Sequence, residues 1–383
     1  MKKTGKWKQD LITALIMIVV IMGVLFIHQK DPITYEMFDS QSISYAHAEV
    51  TDIVAEDLVK EEYSSQRYEG VQTIKAKILT GCLKGQTVEI KNELSATHNV
   101  QTKPNMHIIV KIDDPQGVEP FYSVFNYDRT AGLVLMVGMF AVLMMLIGGK
   151  KGVRSMIGLA FAMFMIMGFL LPMCYQGHSP ILMGLLTAVI IDAVGMLLLN
   201  GFSMKTGTAI VAVALGTVAA ALLYMMFSNI LHMSGFNVGE AEDLVLISQN
   251  TGLHVGQMLF TGILIASLGA VMDMTMSIAS SLFELKEVHP ELTSRELLRS
   301  GMHIGKDIIG VNCQTLILAF AGTAIMELMV LVAYGAQLPQ LMNSDYMTLE
   351  LMHALIGSMA VILAVPLTTV IGTVLITGKE HKA

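Results

Sequence analysis

Apolar runs of about eighteen residues, each long enough to cross a bilayer as a helix, recur along this chain. They limit the fold more than any other feature, because backbone in lipid must satisfy its own hydrogen bonds. One run lies at Leu11–Ile27, after a basic start, MKKTGKWKQD. The others lie at Ala131–Ile147, Met156–Met173, Ile181–Leu199, Thr206–Phe227, Val255–Ser280, Asn312–Ala333 and Leu351–Ile376. That predicts an all-α polytopic membrane protein of about eight transmembrane helices, with a small extracytoplasmic β-rich domain. Charged residues make up 14% of the chain, against about 25% in globular domains. The net charge of −7 is unevenly spread and does not point to nucleic acid.

Lys and Arg set the orientation. With the N-terminus in the cytosol, the inside segments hold Lys150, Lys151, Arg154, Lys205, Lys286, Arg295, Arg299, Lys306, Lys379 and Lys382. The short outside loops Cys174–Pro180, Ser228–His254 and Tyr334–Glu350 hold none. Both termini are therefore expected in the cytosol. The expected division is 1–30, basic start and signal anchor; 31–128, extracytoplasmic stalk and β domain; 129–383, a seven-helix membrane domain. Ala46-His47-Ala48 matches a signal-peptidase pattern, but it lies far beyond the apolar run, which favours an uncleaved anchor.

In the polar segment, Asp31 to Gln66 shows no clear period. It is expected to form a loose stalk with a short helix near Ala55 to Tyr63. Val71–Leu79, Gln86–Asn92 and Met106–Asp113 read as strands separated by turn signals. Cys82 and Cys174 both fall outside the cytosol on this topology, so a disulfide is open to them; free thiols are the simpler reading. No cysteine or histidine spacing marks a metal site, and the many methionines read as adaptable packing. Glu240, Glu242 and Asp243 in the loop after the fifth span read as a solvated loop or interfacial helix, with an acidic cation mouth as the alternative.

The most patterned stretch is Gly262 to Gly322. Gly262, Ala266, Gly269, Asp273, Ser277, Ser280 and Glu284 follow at helical spacing and share one face. The stripe is first small, then polar, then acidic. Small residues let another helix approach closely, and a carboxylate in a span usually faces the bundle interior or water. Pro290 ends that helix, and Thr293-x-x-Glu296 is a capping box that starts the next. There His303, Asp307, Gly310 and Gln314 share a face. The two stripes are expected to face each other, with Gly262, Ala266, Gly269 and Gly310 as packing positions.

GAVMDMTMSIASSLFELKEVHPELTSRELLRSGMHIGKDIIG, followed by TLILAFAG, resembles the signature of the YibE/F family of bacterial multipass membrane proteins. The resemblance extends over the whole chain. It implies a bacterial cytoplasmic-membrane location and a transport-related role for which the family offers no substrate. His303 and Lys306 stand where the family pattern resembles G-M-N-I-G-R-D, and Asn312-Cys313-Gln314 stands where Thr and Asn are more usual. Roles tied to that Asn or Arg do not carry over; Asp273 and Asp307 are retained.

Four carboxylates fall within or beside spans. Asp192 lies roughly 16 Å into its span at 1.5 Å per residue, Asp273 lies deeper towards the cytosol, Asp307 near that face, and Glu327 in the outer part of the seventh span. Such groups pair, hydrogen-bond or take up a proton, which suits them to carry protons or hold cations. The expected pathway residues are Asp273, Asp192 and Asp307, with Ser277, Ser280, Glu284, His303 and Gln314. Pro366 is expected to kink the last span.

An ion-coupled transporter or exporter, or a subunit of one, fits these features best. No G-x-x-x-x-G-K-[ST] loop occurs, so no nucleotide is expected, and no cofactor or catalytic residue. The alternative is a membrane scaffold whose outside domain binds an envelope protein. An aspartyl protease using Asp192 and Asp273 would need flanking motifs that I-I-D-A and V-M-D-M lack. Expected partners are the bilayer, a small solute or ion, and a second copy or second membrane protein.

Overall fold

The computed structural model describes residues 3–32, 42–61, 67–115, 117–234 and 241–380. They form two compact units. One comprises Met1–Ile33 with Met144–Ala383, and the other is Thr34–Leu143.

The smaller unit holds one antiparallel sheet of β1 (Ile43–Lys60), β2 (Tyr68–Ile78), β3 (Thr87–Leu94), β4 (His107–Asp113) and β5 (Phe121–Tyr127). The strand order is β3-β2-β1-β4-β5, and β3 and β5 come back together, so the sheet curls into a half-barrel. Strand alternation buries Ile74, Ala76 and Ile78 on β2, Val88 and Ile90 on β3, and Ile108, Val110 and Ile112 on β4. The expected stalk and short helix are corrected over residues 43–60; the parts of those expectations at 33–41 and 62–66 lie outside the described residues. Residues 43–60 are the longest strand, because β1 pairs β2 on one side and β4 on the other. Its register shifts beside Val50 and Ile53 blur the alternation that would have revealed it. Ala46 and Ala48 are buried on β1.

Gln72 pins the β3–β4 connection onto the sheet. Its Oε1 accepts from Thr102 N at 3.0 Å and Thr102 Oγ1 at 3.1 Å, and its Nε2 donates to Glu56 at 2.9 Å. Gln72→Ala leaves buried polar groups of Thr102 unpaired, and is expected to destabilise the domain by about 3 kcal/mol. Hydrogen exchange of the full chain in detergent checks this: amides at 95–106 should lose protection first, and unchanged protection refutes the role.

Asp128 accepts from Thr130 N at 2.9 Å and faces His47 Nδ1 at 2.7 Å. The Thr130 hydroxyl, then His47, hold its carboxyl down from 3.8 to about 2. A depressed carboxyl stabilises the fold above its unfolded value and loses that contribution as pH falls towards the folded one. The stability gap between wild type and Asp128→Asn should therefore be full above pH 4 and close between pH 4 and 2. Thermal unfolding of both proteins across that range is the measurement.

The larger unit is a helix bundle. Its elements are α1 (Lys3–Lys30), the part of α2 (Thr130–Met165) from Met144 onward, a π-helical turn (Ile166–Leu170), α3 (Leu171–Tyr175), α4 (Pro180–Asn200), α5 (Met204–Ile230), α6 (Ala241–Thr251), α7 (Val255–Val288), α8 (Ser294–Ala333), α9 (Leu338–Met342) and α10 (Asp345–Glu380); α2 up to Leu143 belongs to the smaller unit. Among the described residues, seven helices are long and apolar enough to cross a membrane. One of them, Thr130–Tyr175, has 46 residues. At 1.5 Å per residue that is roughly 69 Å, about twice a hydrocarbon core. The chain breaks it at Gly149, whose φ of 54° favours glycine. Just beyond, Gly152 comes so close to the Met144 carbonyl that a Cβ would collide with it. The segment thus divides into 130–148 and 150–175, near the two spans expected there.

α7 packs against α4, α5, α8 and α10, and supplies much of the core: Phe260, Leu264, Val271, Met274, Ile278 and Leu282. α7 ends at Val288, before Pro290, and the Thr293/Glu296 capping box opens α8 as expected. α8 then runs unbroken for 40 residues beside α10. The closest approach is at Gly301 and Gly305. A Cβ on Gly301 would sit 2.6 Å from Thr369, and one on Gly305 would fall on Val365. Pro366 lies inside α10, which continues through it as one helix.

α1 is a member of this bundle. Gln9 donates to Phe202 O, Asp10 takes a two-pronged bond from Arg154 at 2.7 and 2.8 Å, and Val24 is buried. Pro172 has no N–H to give Gly168 O, the carbonyl four residues back. The helix widens there into the π-helical turn, and His28 Nε2 donates to Gly168 O at 2.6 Å. Cys82, Cys174 and Cys313 are free thiols.

Candidate functional site

Asp192 is the most unusual side chain in the bundle. Gly184 and Ala188 precede it on α4 at steps of four, and the helix is held closely against α7 at that end. Gly184 lies against Thr261, whose hydroxyl donates to Pro180 O at 2.9 Å. Further along, Gly195 lies against Met272. The two helices therefore run in the same direction, and Asp192 is level with Gly269. Asp192 is fully buried, and neither of its carboxylate oxygens has a hydrogen-bond partner among the described residues. Thr187 Oγ1, also on α4, is buried and unpartnered too. A carboxylate so placed must be neutralised by a proton or a bound cation, because a bare charge without partners is very costly to bury.

The α7 stripe lies elsewhere than expected. Gly262, Ala266, Gly269, Asp273 and Glu284 are exposed; Ser277 and Ser280 are half-buried. On α8, His303, Asp307, Gly310 and Gln314 are exposed as well. Leu282 meets Gly301, while Ser267 and Leu316 both meet Gly357, so α7 and α8 run antiparallel with the stripes at matching depth. They do not face each other. The reason is that α7 gives its aliphatic positions to four neighbours, and its small and polar positions are what is left over. A Cβ on Gly262, Gly269 or Gly310 would meet nothing within 4 Å, so among the described residues these are not packing positions. That part is played by Gly301 and Gly305, whose G-x-x-x-G spacing was the available sequence signal. Gly269 lines a groove of about 380 Å³ with Gly158, Ala162 and Gly195.

Asp307 and Glu327 are exposed and form no ion pair among the described residues. Sequence reading missed Glu350 and His353 at the start of α10. His353 Nδ1 lies 4.0 Å from Glu350 Oε2, too far for a hydrogen bond, and its ring stacks on Phe320 of α8 at 5.5 Å. Their signal was the i, i+3 spacing of an acid and a histidine on one helix. Deeper between the same helices, Cys313 Sγ lies 3.7 Å from Ser358 O, and Asn312 Nδ2 is buried without a partner among the described residues. No group of three or more His, Cys, Asp or Glu suited to a metal occurs among the described residues. Asp243 is exposed on α6, whereas Glu240 and the side chain of Glu242 lie outside the described residues.

Long apolar helices, a buried unpartnered carboxylate among them and a separate β half-barrel define an integral membrane protein. The model of the YibE/F-like protein family matches residues 136–378, and that of the YibE/F family N-terminal domain matches residues 43–120. The chain belongs to the YibE/F family. No curated protein and no solved structure matches it.

Proposed function

We propose that this protein is an ion-coupled transporter or exporter, or a subunit of one, in a bacterial cytoplasmic membrane with both termini in the cytosol. The observation that carries the reading is Asp192, whose two carboxylate oxygens are buried at mid-span depth without a partner. A group that must be neutralised to stay there couples naturally to a proton or cation that arrives and leaves. The exposed stripe with Asp273 is the face we assign to a second copy or a second membrane protein, since hydrocarbon is a poor neighbour for it. No bond-making chemistry is part of this reading. Proton flux into proteoliposomes under a pH gradient tests it: wild type should carry flux that Asp192→Asn lacks. Equal flux in both overturns it.

The scaffold reading has one observation in its favour. Tyr45 and Phe125 stack edge-on at 5.0 Å on the half-barrel, and both are exposed, as is Phe121. Such rings are common at protein interfaces. Retention of an envelope protein by wild type but not by Tyr45→Ser/Phe125→Ser, with no flux from either, would favour that reading.

A further inference from the structure

A cleft of about 780 Å³ opens at the end of the bundle where α5 begins and α10 finishes. That volume is within the usual range for small-molecule sites. Lys205 of α5 lines one side, Ser280, Glu284 and Glu287 of α7 line another, and Phe283 and Ile376 supply apolar wall. Lys286 also borders it, but its ammonium is engaged by the carbonyls of Pro290 and Leu292 at 2.7 and 2.9 Å. Lys205, Glu284 and Glu287 make no hydrogen bond or ion pair among the described residues. Solvated charges at a water-facing end are ordinary. Here, though, charges of both signs share one concavity with an apolar wall and are still held apart.

We infer that this cleft binds a zwitterion with an apolar portion: an ammonium set against Glu284 and Glu287, an anionic group against Lys205, and the apolar part against Phe283 and Ile376. A simple ion would satisfy one side and leave the other unmatched. The inference deepens the transport reading and rests on it, because it names what the cytosolic end of the pathway accepts. Two sources share this chemistry, a free amino acid and the headgroup of phosphatidylethanolamine.

The experiment uses the full chain and reads binding rather than flux. In one arm, radiolabelled leucine is titrated onto protein in phosphatidylglycerol nanodiscs. In the other, native mass spectrometry counts phosphatidylethanolamine against phosphatidylglycerol retained from mixed micelles. Saturable binding in either arm is expected, weakened ~tenfold or more, a loss of over 1 kcal/mol, by Lys205→Met and by Glu284→Gln/Glu287→Gln. The arm that binds identifies the source. Isoamylamine, which has the cation and apolar part alone, should compete poorly. Lack of preferential binding in both arms, binding untouched by either variant, or isoamylamine competing as well as leucine overturns the inference. Two independent variants guard against misfolding of one. Failure of binding leaves the Asp192 flux result standing, and absence of flux in wild type, or equal flux in wild type and Asp192→Asn, with binding intact overturns the transport reading alone.

Discussion

Asp192→Asn is expected to reduce coupled proton flux by ~10²-fold or more, the scale on which a lost proton-transfer group is felt, with little change in stability. Asn has nearly the shape of Asp but cannot exchange a proton. The native carboxylate contributes no hydrogen bond to the fold, so the substitution removes no contact. The thermal midpoint in detergent should remain within a few degrees of wild type, and the elution profile should be unchanged. Flux at wild-type level would remove Asp192 from the pathway. A mutant that aggregates would instead make Asp192 a structural group. Asp273→Asn is a useful contrast, because its side chain is exposed and its loss should reflect the partner face more than the buried one.

The largest structural effect is expected at Gly305. A Cβ there falls on Val365, and the neighbouring Gly301 already has Thr369 and Leu282 within 3.0 Å of where a side chain would begin. Gly305→Val must therefore push α8 away from α10 along a contact that runs from Gly301 and Thr369 to Phe320 and His353. Overpacking of this kind costs about 3 kcal/mol or more, enough to lower the thermal midpoint sharply and cut the yield of folded protein. Gly310→Ala, on the same helix but on its open side, should change neither. Equal tolerance at both positions would show that α8 and α10 do not approach as closely as described.

The contrast between these two glycines shows what the sequence could reveal. Helical spacing correctly groups Gly262 to Glu284 on one face, but periodicity does not say which way a face points. The usual rule puts polar residues of a span inwards. Here α7 is enclosed by apolar neighbours on its other sides, and the polar face became the open one. Asp192 was visible as an acid in an apolar run; its lack of any partner was not, because that depends on what α4 meets. The helices were readable from length and hydropathy, apart from the break at Gly149, where the basic Lys150–Arg154 cluster was the better guide. In the half-barrel, β2, β3 and β4 alternate cleanly and were found. β1 was missed because its bulges shift the alternation, and β5 because its exposed aromatics do not resemble a half-buried strand.

The bond from His28 to Gly168 spans 140 residues of sequence. During synthesis α1 is made before the carbonyl it will hold, which is separated from it by the chain between them. Until then the imidazole of α1 has no such acceptor. Completion of the bundle is therefore ordered in time: α1 is made early, and its bond to Gly168 closes late. A chain cut short before Gly168 would keep α1 and lack this bond.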